Sequence, residues 1–248
     1  MCYQTRQIRT VKDLEMKYKV GLSNPAYRDL FDKPAYHLNG FSHPNMLIIP
    51  QQKPKVLAPG IWGIVPPNKQ AEDIKSYYKE SIRYGSGLNA RSEKLFDHFI
   101  YRRSVFSQRC IIPVTGFFEP HTHEMKKYPV FIHRSDDDLF SLAGIYTIIG
   151  KHVTFSILTK AADPFFAKIH NEKKRQPVIL NKEAEATWLN EDLDTEEIKT
   201  LIRSEYPVST LEAYPVSRDI YKRTVDSNVS GITERVNYSE IASVSFQI

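Results

Sequence analysis

Short apolar runs separated by polar and turn-forming residues dominate the chain, and their spacing predicts mostly strands. Cys2 to Ile8 reads as a short strand. Thr10 then caps a helix running from Val11 towards Tyr18. The stretch from Pro25 to Pro54 is rich in proline and carries an Asn39-Gly40 turn signal. Within and after it, Met46 to Ile49 and Ile61 to Val65 read as strands. Gln70 to Ser81 reads as a polar surface helix, and Ser92 to Phe99 as another helix with Ser92 as its cap. The middle of the chain predicts one strand over Arg109 to Phe118. Tyr128 to His133, Leu139 to Tyr146 and His152 to Leu158 follow at hairpin spacing. Asp163-Pro164 opens a helix through Phe165, Phe166 and Ile169, with proline at its first position. Gln176 to Leu180 reads as a strand, and Asn181 to Leu189 and Thr195 to Arg203 as helices.

These elements lack regular βαβ alternation, so the expected fold class is α+β. The expected architecture is a single domain over residues 1–248, with a mostly antiparallel, twisted or barrel-like β core and short peripheral helices. There is no internal repeat, low-complexity tract or obvious linker.

Composition narrows the function classes. The chain has 248 residues, of which 41% are hydrophobic and 25% charged, as in soluble globular proteins. No apolar run approaches the roughly 18–20 residues a membrane span needs, and the first residues lack a signal-peptide core. A cytoplasmic protein with no membrane partner is expected, nucleoid-associated if it binds DNA. Two cysteines, Cys2 and Cys110, are too few for a disulfide framework. The formal charge of +5 is compatible with a polyanionic partner. Basic residues gather at Arg102-Arg103, Lys173 to Arg175 and Arg218 to Arg223, which equally describes a solvated surface.

The most reactive candidate is Cys2. Once the initiator methionine is removed, it is a 1,2-aminothiol. A free α-amine has a pKa of about 7.7–8.0, so a sizeable minority is neutral and nucleophilic at physiological pH. Such an amine attacks an aldehyde to give a Schiff base. The adjacent thiol can then close a five-membered thiazolidine. On position alone, however, a cysteine at residue 2 is more often incidental. Other polar boxes are also ordinary when taken singly. Asn89-Ala90-Arg91-Ser92-Glu93 reads as a capped helix start, Glu119 as a strand-end carboxylate, and His170 as a helix-end cap. Cys110 reads as a small core residue, and Trp62 as packing or a groove wall. His121 and His123 form a His-x-His pair, but no further ligands lie at matching spacing, so no metal site is expected.

Together these boxes resemble the SOS-response-associated peptidase (SRAP) family. The match runs in order: Met1-Cys2, Trp62-Gly63-Ile64-Val65-Pro66, Asn89 to Glu93, Gly116-Phe117-Phe118-Glu119, then Ile169-His170 with Arg175-Gln176-Pro177. It covers about residues 1–180, and residues 181–248 are expected to pack on that part. Each motif is weak alone, but five in sequence are specific. The resemblance implies a sensor of abasic sites that becomes covalently attached to single-stranded DNA through a thiazolidine, shielding the lesion. It also implies peptidase removal of the initiator methionine and a possible lyase activity, without a cofactor.

By that resemblance, Cys2 is the nucleophile, Asn89 holds the reacting sugar, and Glu119 is the acid/base. His170 is the second proton-transfer group, and Arg91 holds a phosphate. Arg175 and Trp62 are further candidates for DNA contact. The partner is abasic single-stranded DNA, and the expected state is a monomer. The sequence departs from the family's usual Cys-Gly-Arg start at Tyr3-Gln4. It also has Pro120 after the catalytic glutamate and Pro67-Asn68 after the Trp-Gly box, positions where the family often has tryptophan. Two other classes compete. A glutamine-amidotransferase-like hydrolase also uses an N-terminal Cys2 and would hydrolyse glutamine. A non-catalytic single-strand binder would leave no covalent product.

Overall fold

Thr10 begins the first helix as its sequence requires: its side chain accepts from the Asp13 amide while the Asp13 carboxylate accepts from the Thr10 amide. The computed structural model describes residues 2–246. Its elements in chain order begin with β1 (Gln4–Gln7), α1 (Val11–Tyr18), β2 (Gly21–Leu22), α2 (Arg28–Phe31), β3 (Ala35–Asn39), β4 (Asn45–Pro50), β5 (Val56–Trp62), α3 (Ile74–Glu80) and β6 (Asn89–Arg91). They continue with α4 (Ser104–Ser107), β7 (Arg109–Val114), β8 (Gly116–His123), β9 (Lys126–Arg134), β10 (Phe140–Ile149) and β11 (His152–Ala161). Last come α5 (Pro164–Ile169), β12 (Arg175–Pro177), β13 (Ile179–Leu180), α6 (Lys182–Trp188), α7 (Thr195–Arg203) and β14 (Leu211–Pro215). The fold is α+β, with a mixed, barrel-forming sheet and short helices.

Two sheets share the core. One runs β12-β11-β10-β7-β4-β5-β2, and an extra parallel pairing of β11 with β5 closes β11, β10, β7, β4 and β5 into a barrel. The other runs β14-β9-β8-β1-β3, with the N-terminal strand β1 in its interior between β8 and β3. Strands β7 and β10 are buried on both faces. Their side chains alternate between two apolar clusters. Cys110, Ile112, Leu142 and Tyr146 face a core shared with β8 and β9, while Ile111, Ala143 and Ile145 face one covered by α1, α6 and α7. That two-sided burial explains why the sequence shows near-continuous apolar runs here rather than clean alternation. The Cys110 thiol is fully buried, and burial pushes its pKa well above the ordinary value, as befits a core residue. Among the described residues no helix is long and apolar enough to cross a membrane.

Several expected elements change in the fold. The single strand expected over residues 109–118 is two strands in different sheets. The chain turns at Thr115, whose amide and hydroxyl both donate to the Arg6 carbonyl. Gly116 permits the turn, because a Cβ there would lie 2.5 Å from the Phe131 ring. The strand expected over 176–180 also divides. Arg175–Pro177 pairs with β11 and Ile179–Leu180 with β10, and Val178 bridges the two. The helix expected over 92–99 is only a 3₁₀ turn at Ser92–Lys94. Its buried residues Leu95 and Ile100 lie five apart, and Phe99, which a helix would align with Leu95, is exposed. The strand expected at Ile61 to Val65 ends at Trp62 and begins earlier, at Val56.

Candidate active site

Strand β1 and the residue Cys2 before it run inside the protein. Its antiparallel register sets Gln4 opposite Phe118, so the preceding residues run alongside Glu119. On the other side, the Tyr3 carbonyl accepts from the Gly40 amide at 2.8 Å. Cys2 is fully buried, with its Sγ 3.9 Å from the Gln4 carbonyl. Burial pushes the thiol well above its usual pKa, and the negative charge of Glu119 raises it further. The resting thiol is therefore protonated near neutral pH. Met1 lies outside the described residues.

Asn89 arrives on β6, which pairs in parallel with β11 and sets Asn89 opposite Ile157. Its Nδ2 donates to the Cys2 carbonyl at 2.9 Å, while its buried Oδ1 has no hydrogen-bond partner among the described residues. The approach to Asn89 is tight. Gly87 has φ +67°, and a Cβ there would lie 2.3 Å from the Ile64 carbonyl oxygen, so only glycine fits. Thus the Trp-Gly-Ile-Val segment and the Asn89 box touch through backbone.

Glu119 and His170 meet across the two sheets. Glu119 points inward from β8, and His170 ends α5, a helix that starts at the Asp163 cap with proline in its first turn. Both are buried, and His170 Nδ1 lies 3.0 Å from Glu119 Oε2. The same nitrogen lies 3.2 Å from the Arg175 carbonyl. Both neighbours accept, so Nδ1 carries a proton. The fold therefore gathers Cys2, Asn89, Glu119 and His170 from four separate elements. Chemically, the cluster combines a thiol, an amide that fixes its backbone, and a carboxylate–imidazole pair of the kind that can move protons.

The remaining expected residues divide. Arg91 is exposed at the end of β6, and its positive charge acts on the Tyr3 phenol. Arg175 and Trp62 are both buried, with partners inside the fold. Arg175 is buried; one arm of its guanidinium pairs with Glu93, and the other bonds Glu93 at 3.0 Å and the Thr159 carbonyl at 2.7 Å. It ties the Asn89 box to the segment after His170. Trp62 is fully buried, with its indole N–H on the Leu88 carbonyl at 2.9 Å and its ring parallel to Phe155. No face of it is open to a base, so it acts as packing beneath Asn89. His121 and His123 hold no metal cluster among the described residues.

Three aromatics near the site carried no functional expectation in the sequence. The Tyr3 and Phe41 ring centroids are 5.0 Å apart, and Phe41 is exposed. Tyr221 comes from the C-terminal segment, to which no chemistry was assigned. Desolvation and then the negative charge of Glu119 raise its phenol pKa, while its ring stays partly exposed. Only adjacency to Cys2 singled out Tyr3, and nothing in the sequence singled out Tyr221.

A family model described as SOS response associated peptidase (SRAP) matches residues 1–223. The Bacillus subtilis protein named abasic site processing protein YoqW is 35% identical over 163 residues, covering 63% of this chain and 67% of that one. A Saccharomyces cerevisiae protein, abasic site processing protein YMR114C, is 32% identical over 171 residues, 66% of this chain but 44% of its own length. Escherichia coli abasic site processing protein YedK is 28% identical over 138 residues, 54% of this chain and 61% of its own. A solved structure from Bacteroides thetaiotaomicron superposes with a TM-score of 0.82 at 28% identity, covering 95% of this chain and all of that one. A second, from Bordetella bronchiseptica, has a TM-score of 0.70 at 22% identity, over 87% of this chain and all of its own, and speaks to fold alone.

Proposed function

Because the chain belongs to the SRAP family, we propose that, beyond the abasic-site processing for which its relatives are named, it captures abasic sites covalently through Cys2. The observation that carries this reading is the convergence of Cys2, Asn89, Glu119 and His170 in one buried cluster, with Asn89 bonded to the Cys2 backbone. Removal of Met1 frees the Cys2 amine. The amine, not the protonated thiol, attacks first, adding to the C1′ aldehyde of the ring-opened sugar. Loss of water from the carbinolamine gives the imine. In this reading Glu119 accepts and returns the protons this requires, with His170 as its hydrogen-bonded partner. The thiol then adds to the imine carbon, its proton passing to the imine nitrogen, and closes the thiazolidine. Asn89 holds the Cys2 carbonyl, and its Oδ1 is suited to accept from a sugar hydroxyl. Exposed Arg91 is suited to a phosphate. The substrate is single-stranded DNA, the protein acts as a monomer in the cytoplasm, and self-processing or strand cleavage would use the same groups.

The test is intact-mass analysis of the purified chain before and after incubation with an abasic oligonucleotide. The expected results are a chain starting at Cys2 and an adduct that needs no reductant. A crosslinking chain that retains Met1 refutes the amine mechanism. Cys2→Ala keeps the amine and lacks the thiol, so its adduct should survive only after borohydride trapping. A heat-stable, untrapped Cys2→Ala adduct would point to another nucleophile. Glutamine hydrolysis, or equal non-covalent binding of intact and abasic DNA, would favour the competing classes.

A further inference from the structure

The dyad Glu119–His170 joins two elements that are 51 residues apart in sequence and carry no covalent tie nearby. Helix α5 has only six residues, so the carbonyls of its last turn lack intrahelical donors. Two of them are satisfied from across the fold. His121, two residues beyond Glu119 on β8, directs Nδ1 at the carbonyls of Lys168 (3.1 Å) and Ile169 (3.2 Å). Both neighbours accept, so Nδ1 is the donor. One residue further on each side, Asn171 and Thr122 form a reciprocal pair. The Thr122 amide donates to Asn171 Oδ1 at 2.9 Å, and Asn171 Nδ2 donates to the Thr122 carbonyl at 2.8 Å. Together these bonds fasten the end of β8 to the end of α5 on both sides of His170. The His121 ring is backed edge-on by Phe246, at a centroid distance of 5.1 Å and an angle of 82°. Phe246 is buried and lies beyond the stretch matched by the family model.

We infer that His121 and Asn171 are positioning residues that hold His170 against Glu119, and that the C-terminal segment buttresses them through Phe246. The role in catalysis rests on the function proposed above, but the geometry can be tested without it. The full chain with Met1 removed is labelled with ¹⁵N-histidine and compared as wild type, His121→Ala, His121→Phe, His121→Asn and Asn171→Ala. Two quantities are read: the rate of adduct formation on an abasic oligonucleotide, and the downfield proton resonance of the His170 Nδ1–H.

Loss of the clamp lets His170 drift from its partner, and misplacement by about 1 Å costs on the order of 10²-fold. His121→Ala and His121→Phe are therefore expected to slow capture about 10–100-fold and to shift or broaden the resonance. Asn171→Ala should do so in the same direction. His121→Asn keeps a side-chain N–H near the Nδ1 position and is expected to recover both. Phenylalanine fills the space without donating, so it separates the hydrogen bond from packing. Wild-type rate and resonance in His121→Ala and Asn171→Ala overturn the inference, as does a His121→Phe variant that behaves like His121→Asn. If the wild type forms no adduct, the proposed function fails, and the resonance still decides whether the clamp holds the dyad.

Discussion

Asn89→Ala separates function from stability, because Asn89 is only half satisfied where it sits. Among the described residues its Nδ2 makes one bond, to the Cys2 carbonyl at 2.9 Å, and its buried Oδ1 makes none. Losing the bond costs about 0.5–1.5 kcal/mol, whereas removing a buried, unsatisfied acceptor returns about 1–3 kcal/mol. Some packing is lost with the amide. The variant also leaves the Cys2 carbonyl without that donor, at about 1–3 kcal/mol, so gains and losses offset and the net change in folding free energy should lie within about 2 kcal/mol of zero. Capture should respond differently. The variant frees the Cys2 backbone and removes the acceptor offered to the sugar. An interaction worth about 1.5–3 kcal/mol in the transition state corresponds to roughly 10–150-fold in rate. The assay pairs urea unfolding at neutral pH with a denaturing-gel time course of adduct formation on an abasic oligonucleotide. A variant that loses more than about 3 kcal/mol yet captures at the wild-type rate per folded molecule would refute this reasoning and make Asn89 a structural residue.

Three further outcomes are expected. Glu119→Gln should slow capture about 10²–10⁴-fold, the usual contribution of a general acid–base group, while circular dichroism shows the fold intact; an unchanged rate removes Glu119 from the chemistry. Arg91→Ala should shallow the log–log salt dependence of single-strand binding by about 0.7, the value of one neutralised phosphate, so an unchanged slope means that Arg91 meets none. His37 should make the protein acid-labile. Burial lowers its pKa from 6.5 to about 4, so the folded ring stays neutral where the unfolded ring takes a proton. The stability this ring contributes is complete above pH 6.5 and lost as pH falls to about 4. At 1.36 kcal/mol per unit it amounts to about 3 kcal/mol. Urea midpoints between pH 7 and 4 should fall less in His37→Gln than in the wild type, and parallel curves would contradict the assignment.

What the sequence determined by itself was local or chemical. The capping box at Thr10 and Asp13 depends on residues three apart, and the hairpin formed by β10 and β11 on neighbouring apolar runs. The reactivity of an N-terminal aminothiol belongs to a single residue, and the ordered motifs identified the family. What only the tertiary structure decided depends on contacts distant in sequence. Apolar pattern alone could not place Arg109 to Val114 and Gly116 to His123 in different sheets, because the turn is set by Arg6 and Phe131. A surface arginine and a buried one look alike in sequence. Arg175 became an internal tie because Glu93 and Thr159 meet it from 82 and 16 residues away. Trp62 was drawn inward by the Leu88 carbonyl, which satisfies its indole N–H away from water. No local pattern pointed His121 at its partners, the carbonyls at the end of α5 that its ring meets. Cys2 could be singled out by its type and position, whereas the groups that hold its neighbours in place are defined by distances that no local pattern encodes.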